Sequence, residues 1–315
     1  MGGHVVAALA RQGIRPRCLV RRTSRLDFIK EWSPELAWGD VASPASLETA
    51  VAGVDGIVHC AGVTRARSRT AYRPVNEDGC ENLYRACLAR NPAVRRIVHM
   101  GSLAAWGPAV AGRPVQEDQE PRPVSDYGRS KLAGQRIAAA FMDRLPIVIL
   151  APPAVYGPFD RDFLKYLAGV QRGFALMIGR DERRLSLIYA EDLARAVLVC
   201  LEGAAAAGRT YLVEDGRTHT WQDIAVAMGR ALHSSFRTVH LPPAAARAVC
   251  AVMGWAAWCT GKPALLSRDK LREFLQLAWT CSSEKIKKEL GFAPRYSLEQ
   301  GLEITCRWYR ERQWL

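Results

Sequence analysis

Tyr127 and Lys131 stand four residues apart in "SDYGRSKLAG" (125–134), a spacing that places both on one face of a helix. A phenol with an ordinary pKa of about 10 is a poor acid–base group at neutral pH unless a nearby positive charge stabilises the phenolate. A lysine one helical turn on can supply that charge. Alone, the pair is common on solvated helix faces, and it needs a third group. Ser102 is that group, in "VHMGSLAAWGP" (98–108), where an apolar run ends at Gly101. Its hydroxyl can donate to an oxygen on which negative charge develops, such as a carbonyl receiving a hydride. An isolated serine at a strand end more often bonds local backbone, but with Tyr127 and Lys131 following, the three read as one catalytic set.

The elements that must position this set are legible in the same half of the chain. Short β-rich runs, "RCLVRR" (17–22), "GIVHCAG" (56–62), "RRIVHMGS" (95–102) and "LPIVILAPP" (145–153), are separated by helix-spaced stretches at 46–53, 76–90 and 126–144. Strand and helix in alternation imply parallel strands joined by right-handed crossovers. The runs are apolar without alternation, as strands covered on both faces are. The expected fold is an α/β, Rossmann-type doubly wound parallel sheet, with ligands beyond the carboxyl ends of its strands. Ser125 or Asp126 is placed to cap the helix carrying Tyr127. After Pro153 the pattern loosens, with one return to strand and helix at 184–203 that is expected to complete the sheet. The reading is a nucleotide-binding domain over 1–152 with 184–204, and a smaller, mostly helical substrate lobe over 153–183 and 205–315. Two helices near the end are split by Gly291 and Pro294.

In this order and spacing, "WGDVASPASL" (38–47), "VHCAG" (58–62), "VNEDGCENL" (75–83), "MGSLAAWG" (100–107), "YGRSK" (127–131), "PPAVYGP" (152–158) and "IYAEDLARA" (188–196) make the chain resemble an extended short-chain dehydrogenase/reductase. The likeness runs from end to end and is to the branch of 3β-hydroxysteroid dehydrogenases and dihydroflavonol reductases, within the epimerase/dehydratase superfamily. It implies that Ser102, Tyr127 and Lys131 are catalytic, with Lys131 also bonding the nicotinamide ribose. It implies further that Asp40 meets the adenine amino group with Val41 along the ring, that Ala61 and Gly62 pass close to the cofactor, and that the loop from Pro152 to Val155 faces the nicotinamide. Two positions depart from many relatives: Ala151 stands where an arginine is usual, and Tyr189 where a histidine is. Family members carry a strand and a Gly-x-x-Gly-x-x-Gly turn before the residues matching "GGHVVAALARQG", so Gly2 corresponds to the third glycine. Without that strand its neighbours' edges would stand unpaired; an upstream start, with Met1 internal, is preferred over a true truncation.

Cofactor choice follows from the end of the second Rossmann strand, where an acid suits NAD and an arginine suits the 2′-phosphate of NADP. Arg21 and Arg22 stand there with no acid before Asp27, so NADP is preferred to NAD.

The composition excludes several other classes. The 315 residues carry a net charge of +13, but 31 acids are interleaved and no Lys/Arg tract occurs, so nucleic-acid binding is set aside. Nine cysteines form no CxxC pair, which points to thiols in a reducing, cytoplasmic setting, with no metal site. The chain shows no signal peptide pattern. The apolar stretch Pro243–Gly261, with Trp255 and Trp258, includes Arg247 and falls short of the about 20 apolar residues of a spanning helix. It is read as a buried helix, with peripheral membrane contact as the less favoured alternative. It also inclines the reading towards a hydrophobic ketone or secondary alcohol as the small-molecule substrate. A nucleotide-sugar epimerase using the same three residues and a non-catalytic nucleotide-binding scaffold are the alternatives. Dehydration is disfavoured by Leu103 and Ala104, where dehydratases carry an Asp-Glu pair. A homodimer through helices 76–90 and 126–144 stays open.

Overall fold

The computed structural model describes residues 1–110, 112–260 and 268–315, with the backbone alone for 254–260. The first half contains α1 (Gly2–Arg11), β1 (Arg17–Val20), β2 (Glu35–Trp38), α2 (Pro44–Val51), β3 (Gly56–His59), α3 (Arg73–Asn76), α4 (Asp78–Arg90), β4 (Arg96–Met100), α5 (Asp126–Ala140) and β5 (Ile147–Ala151). The second half contains β6 (Ala154–Tyr156), α6 (Arg161–Gln171), β7 (Phe174–Ile178), β8 (Arg184–Tyr189), α7 (Ala190–Glu202), β9 (Thr210–Leu212), β10 (Thr218–Thr220), α8 (Trp221–Leu232), β11 (Arg237–Leu241), α9 (Pro243–Thr260), α10 (Arg268–Phe274), β12 (Ala278–Trp279), α11 (Glu284–Leu290) and α12 (Leu298–Glu311).

The strands β3, β4, β5 and β9 form one parallel sheet in that order. Because side chains alternate across a strand, β4 and β5 feed two cores. Val98, Met100, Val148 and Leu150 pack with α1 and α7 through Val5, Ala8, Leu193 and Val197. Ile97, Ile147 and Ile149 pack on the opposite face with α2, α4 and α5 through Leu47, Leu83, Tyr84 and Ala138. Helices therefore cover both faces, the doubly wound arrangement expected from the apolar runs.

β1 and β2 pair with each other in parallel, and among the described residues neither pairs with the main sheet. β1 and β3 each have one partner, and most of their residues are only partly buried, whereas every residue of β4 and β5 is buried. Among the described residues, the edges expected to stand unpaired do so.

The strand that extends the main sheet past β5 is β9, not the run at 184–189. β8 instead joins a mixed sheet with β6, β10 and β12. The reason is that β8 serves two cores: Ile188 faces the sheet's core, while Leu185, Leu187 and Tyr189 face a second one built with α6, α8 and α12. Sequence patterning also missed the parallel ribbon of β7 and β11. The terminal helices fall as expected. Gly291 closes α11 in the left-handed conformation at φ 66°, and Ser297 with Gln300 forms a capping box on α12. The apolar stretch from Pro243 is helical to Thr260; Gly261 and the side chains of Trp255 and Trp258 lie outside the described residues. Among the described residues no helix is long and apolar enough to cross a membrane.

Candidate active site

The helix α5, which carries Tyr127 and Lys131, is fixed at its start by its own sequence. The Ser125 hydroxyl accepts from the Gly128 amide at 2.9 Å, satisfying one of the amides a helix leaves without a partner. Gly128 and Gly134 let this helix approach its neighbours' backbones: a Cβ on Gly128 would stand 2.4 Å from the Ala104 carbonyl oxygen, and one on Gly134 2.4 Å from that of Asn76. No larger residue fits at either position. The helix is thereby pressed against the turn at 103–105, which follows Ser102.

Ser102 sits at the end of β4, its amide donating to Gln135 Oε1 at 3.1 Å and its hydroxyl accepting from the Ala104 amide at 3.2 Å. Its hydroxyl also meets Tyr127. Burial pushes the Tyr127 phenol up to about 12, against the lowering effect of the Ser102 hydrogen bond, and Glu273 adds to the rise. Lys131 donates to the Met100 carbonyl oxygen at 2.6 Å, and burial lowers its pKa while Cys80 and Cys60 oppose that change. The three residues expected to act together are thus brought to one end of β4. The ammonium is held by the strand end, not by the phenol.

The remaining expected residues also lie at the carboxyl ends of the parallel strands. Arg21 and Arg22 follow β1, Asp40 and Val41 follow β2, Ala61 and Gly62 lie just beyond β3, and Pro152 and Val155 flank the turn after β5. Arg21 lies 3.9 Å from an Asp40 carboxylate oxygen, and the Arg22 guanidinium stacks 4.9 Å from the centre of the Trp38 ring. Ala61 and Gly62 are exposed. A Cβ on Gly2 would lie 4.0 Å from that of Cys60, so the start of α1 stands beside this edge. Val41 differs from expectation: its side chain is buried in the α2–α4 core and touches Gly79, so only its backbone faces the edge. Pro152 is likewise buried, its carbonyl accepting from the Leu103 amide at 2.8 Å.

A dinucleotide fits the donor set on this edge. The N-terminus of α1 has no side-chain cap and no acid in its first turn, leaving amides and a positive dipole end for a pyrophosphate. The Arg21–Arg22 pair suits a ribose phosphate, and Asp40 is an acceptor for an amino group.

Sequence reasoning missed several residues that hold the site. Asn76 is buried and ties the loop after β3 to α5: its amide exchanges bonds with Val63 at 2.8 and 2.9 Å and donates to Ser130 Oγ at 2.9 Å. It lies within the "VNEDGCENL" motif, which is the signal that could have found it. From α10, Asp269 accepts from the Asp126 and Tyr127 amides at 2.6 and 3.2 Å, and Glu273 accepts from the Ser125 hydroxyl at 2.6 Å. Asp269 thus satisfies the first amides of α5 and Glu273 the hydroxyl of its cap from more than a hundred residues away, and no local pattern announces them.

Beneath Lys131 lies a buried group of His59, Cys80 and His99, whose ligand-type atoms are within 4.8 Å of one another. Cys80 Sγ is 3.4 Å from His59 Nε2, and the Tyr84 hydroxyl shares a 2.6 Å hydrogen bond with His99 Nδ1. The Lys131 ammonium beside them opposes a second cation there. Burial, reinforced by Lys131, lowers His59 to about 3 and holds His99 well below its usual value. The unfolded chain therefore takes up these protons first, near pH 6.5. Their contribution to stability is complete above pH 6.5 and is lost as pH falls from there towards the folded-state values. Each histidine should remove about 1.4 kcal/mol per pH unit in that window. Urea unfolding at pH 7 and pH 5 checks this: the midpoint should fall, and by less in His59→Gln; equal falls in both proteins would contradict it.

Residues 1–213 match the family model of the NAD dependent epimerase/dehydratase family. A ceramide reductase of Caulobacter vibrioides is 31% identical over 318 residues, covering 100% of this chain and 93% of that protein. A UDP-glucose 4-epimerase of Vibrio cholerae is 25% identical over 279 residues, covering 85% of this chain and 80% of that one. The crystal structure of gox2253 superposes with a TM-score of 0.80 at 26% identity, over 99% of this chain and 95% of that one.

Proposed function

This chain is a member of the NAD-dependent epimerase/dehydratase family, and from that premise we propose that it is an NADP-dependent reductase of a hydrophobic, ceramide-like ketone. The observation that carries the reading is the meeting of Ser102, Tyr127 and Lys131 at the carboxyl end of β4, beside an edge whose donors suit a dinucleotide. When bound, the nicotinamide supplies the hydride. Ser102 donates to the substrate carbonyl oxygen and polarises it. Tyr127 gives that oxygen its proton, so the ketone becomes a secondary alcohol and the phenol becomes phenolate. Lys131, one turn along α5, stabilises the phenolate until solvent returns the proton. A phenol held near 12 is protonated at neutral pH, the form required for reduction.

The ceramide reductase likeness supports a lipid ketone over a sugar nucleotide, as does Ala151 in place of the arginine many epimerases carry. Arg21 and Arg22 support NADP. The test is a fluorescence titration of NADPH and NADH into the chain, alone and extended upstream by a strand and a Gly-x-x-Gly-x-x-Gly turn. NADPH should bind more tightly than NADH, by about tenfold or more if the 2′-phosphate gains one charge-assisted pair. Arg21→Glu with Arg22→Glu should remove that preference. No binding of either nucleotide to either form would sink the oxidoreductase reading.

A further inference from the structure

We infer that the face formed by the β7–β11 ribbon and the outer side of α9 docks on an anionic lipid bilayer. In the parallel register of the ribbon, Phe174 pairs with Arg237, Leu176 with Val239 and Ile178 with Leu241, so these six side chains share one side. Ile178 and Leu241 are covered by Ala246 and Cys250 of α9 and by Leu271 of α10. The rest of that side is bare: Phe174 is 42% exposed, Leu176 52% and Val239 46%. The apolar surface continues onto α9, where Val249 is 45% and Val252 67% exposed. A surface helix ordinarily turns charge outward. From Pro243 to Met253 the outward residues of α9 are Ala244, Ala248, Ala251 and the two valines, with Arg247 as the single charge. Apolar side chains of this size gathered on one face mark a surface that something apolar covers.

Charge selects the cover. Arg172 and Arg180 stand at the two ends of β7, Arg237 at the start of β11 and Arg247 on α9, all exposed, and among the described residues none forms an ion pair. Asp181 and Glu182 follow β7 in the chain, and Glu182 is paired with Arg184 at 2.9 Å. An apolar patch rimmed by arginines matches the acyl boundary and anionic headgroups of a bilayer. The same arm reaches the active site: α9 packs on α10, and α10 presents Asp269 and Glu273 to the first turn of the catalytic helix. A lipid ketone drawn from the membrane would thus arrive one helix away from Tyr127. The inference deepens the lipid-substrate reading and rests on it for its purpose, but vesicle binding is measured without turnover, so each can fail alone.

The experiment is co-sedimentation of the full chain with vesicles of equal parts phosphatidylcholine and phosphatidylglycerol, and with phosphatidylcholine alone. Binding should require the anionic lipid and weaken with salt. Leu176→Asp with Val252→Asp should reduce it at least tenfold, and Arg237→Gln and Arg247→Gln by about fivefold each. All sites are exposed, and circular dichroism confirms folding; if the aspartate variant fails to fold, the arginine variants decide alone. Absence of binding to anionic vesicles overturns the inference, as does binding that the folded variants leave unchanged. A dimer on size exclusion that the aspartate or arginine variants break, with no vesicle binding, assigns the face to a second copy of the chain and equally overturns it.

Discussion

Tyr127→Phe is expected to lower turnover by about 10²- to 10⁴-fold, the range a positioned acid–base group contributes. The substitution deletes only the hydroxyl. The ring keeps its place on α5, whose first turn is held by Ser125, Asp269 and Glu273 through contacts that do not involve the phenol oxygen. Nucleotide affinity and the urea midpoint should therefore change little. Steady-state kinetics alongside a nucleotide titration make the separation. A variant that retained full activity would remove Tyr127 from the chemistry, and in cells it would favour the scaffold alternative.

Asp192→Ala should cost about 3–5 kcal/mol of stability, the usual penalty for breaking a buried charged pair from one side. Asp192 is fully buried in the first turn of α7. Its carboxylate accepts from the Arg295 amide at 2.9 and 3.0 Å, from the Tyr296 amide at 3.0 Å and from the Arg195 guanidinium at 2.8 Å. Losing it leaves two backbone donors without a partner and frees the loop that leads into α12. Urea unfolding measures the loss. A change below about 1 kcal/mol would mean that water or a shifted loop replaces the carboxylate, since buried donors without partners cost at least that much.

What the sequence made legible was whatever repeats locally. Apolar runs bounded by Gly and Pro located β1, β3, β4 and β5, and Ser102, Tyr127 and Lys131 could be placed together because strand end and helix start are local signals. β8 was assigned to the wrong sheet because its apolar run reads alike whether one core or two receive it. The β7–β11 ribbon was missed because the exposed side of β7 is apolar as well, so Phe174–Ile178 reads as an unbroken apolar run with no alternation. The supports of the site were hidden for another reason. Asp269 and Glu273 act on α5 across 140 or more residues of chain, and Gln135 acts on Ser102 from the next helix. Such contacts exist only once tertiary packing brings the elements together. Asn76 was visible as part of a motif, but its role in tying the β3 loop to Ser130 was not.

We propose net hydride delivery to a ketone through Ser102, Tyr127 and Lys131. The measurement that tests it most directly uses NADPH deuterated at C4 with a panel of long-chain lipid ketones, followed by mass spectrometry of the products. One deuterium on the carbinol carbon, one cofactor oxidised for each alcohol formed, and loss of both in Tyr127→Phe are expected. Unchanged cofactor and no labelled alcohol, together with inversion of a sugar-nucleotide hydroxyl by the same protein, would contradict it and establish the epimerase in its place.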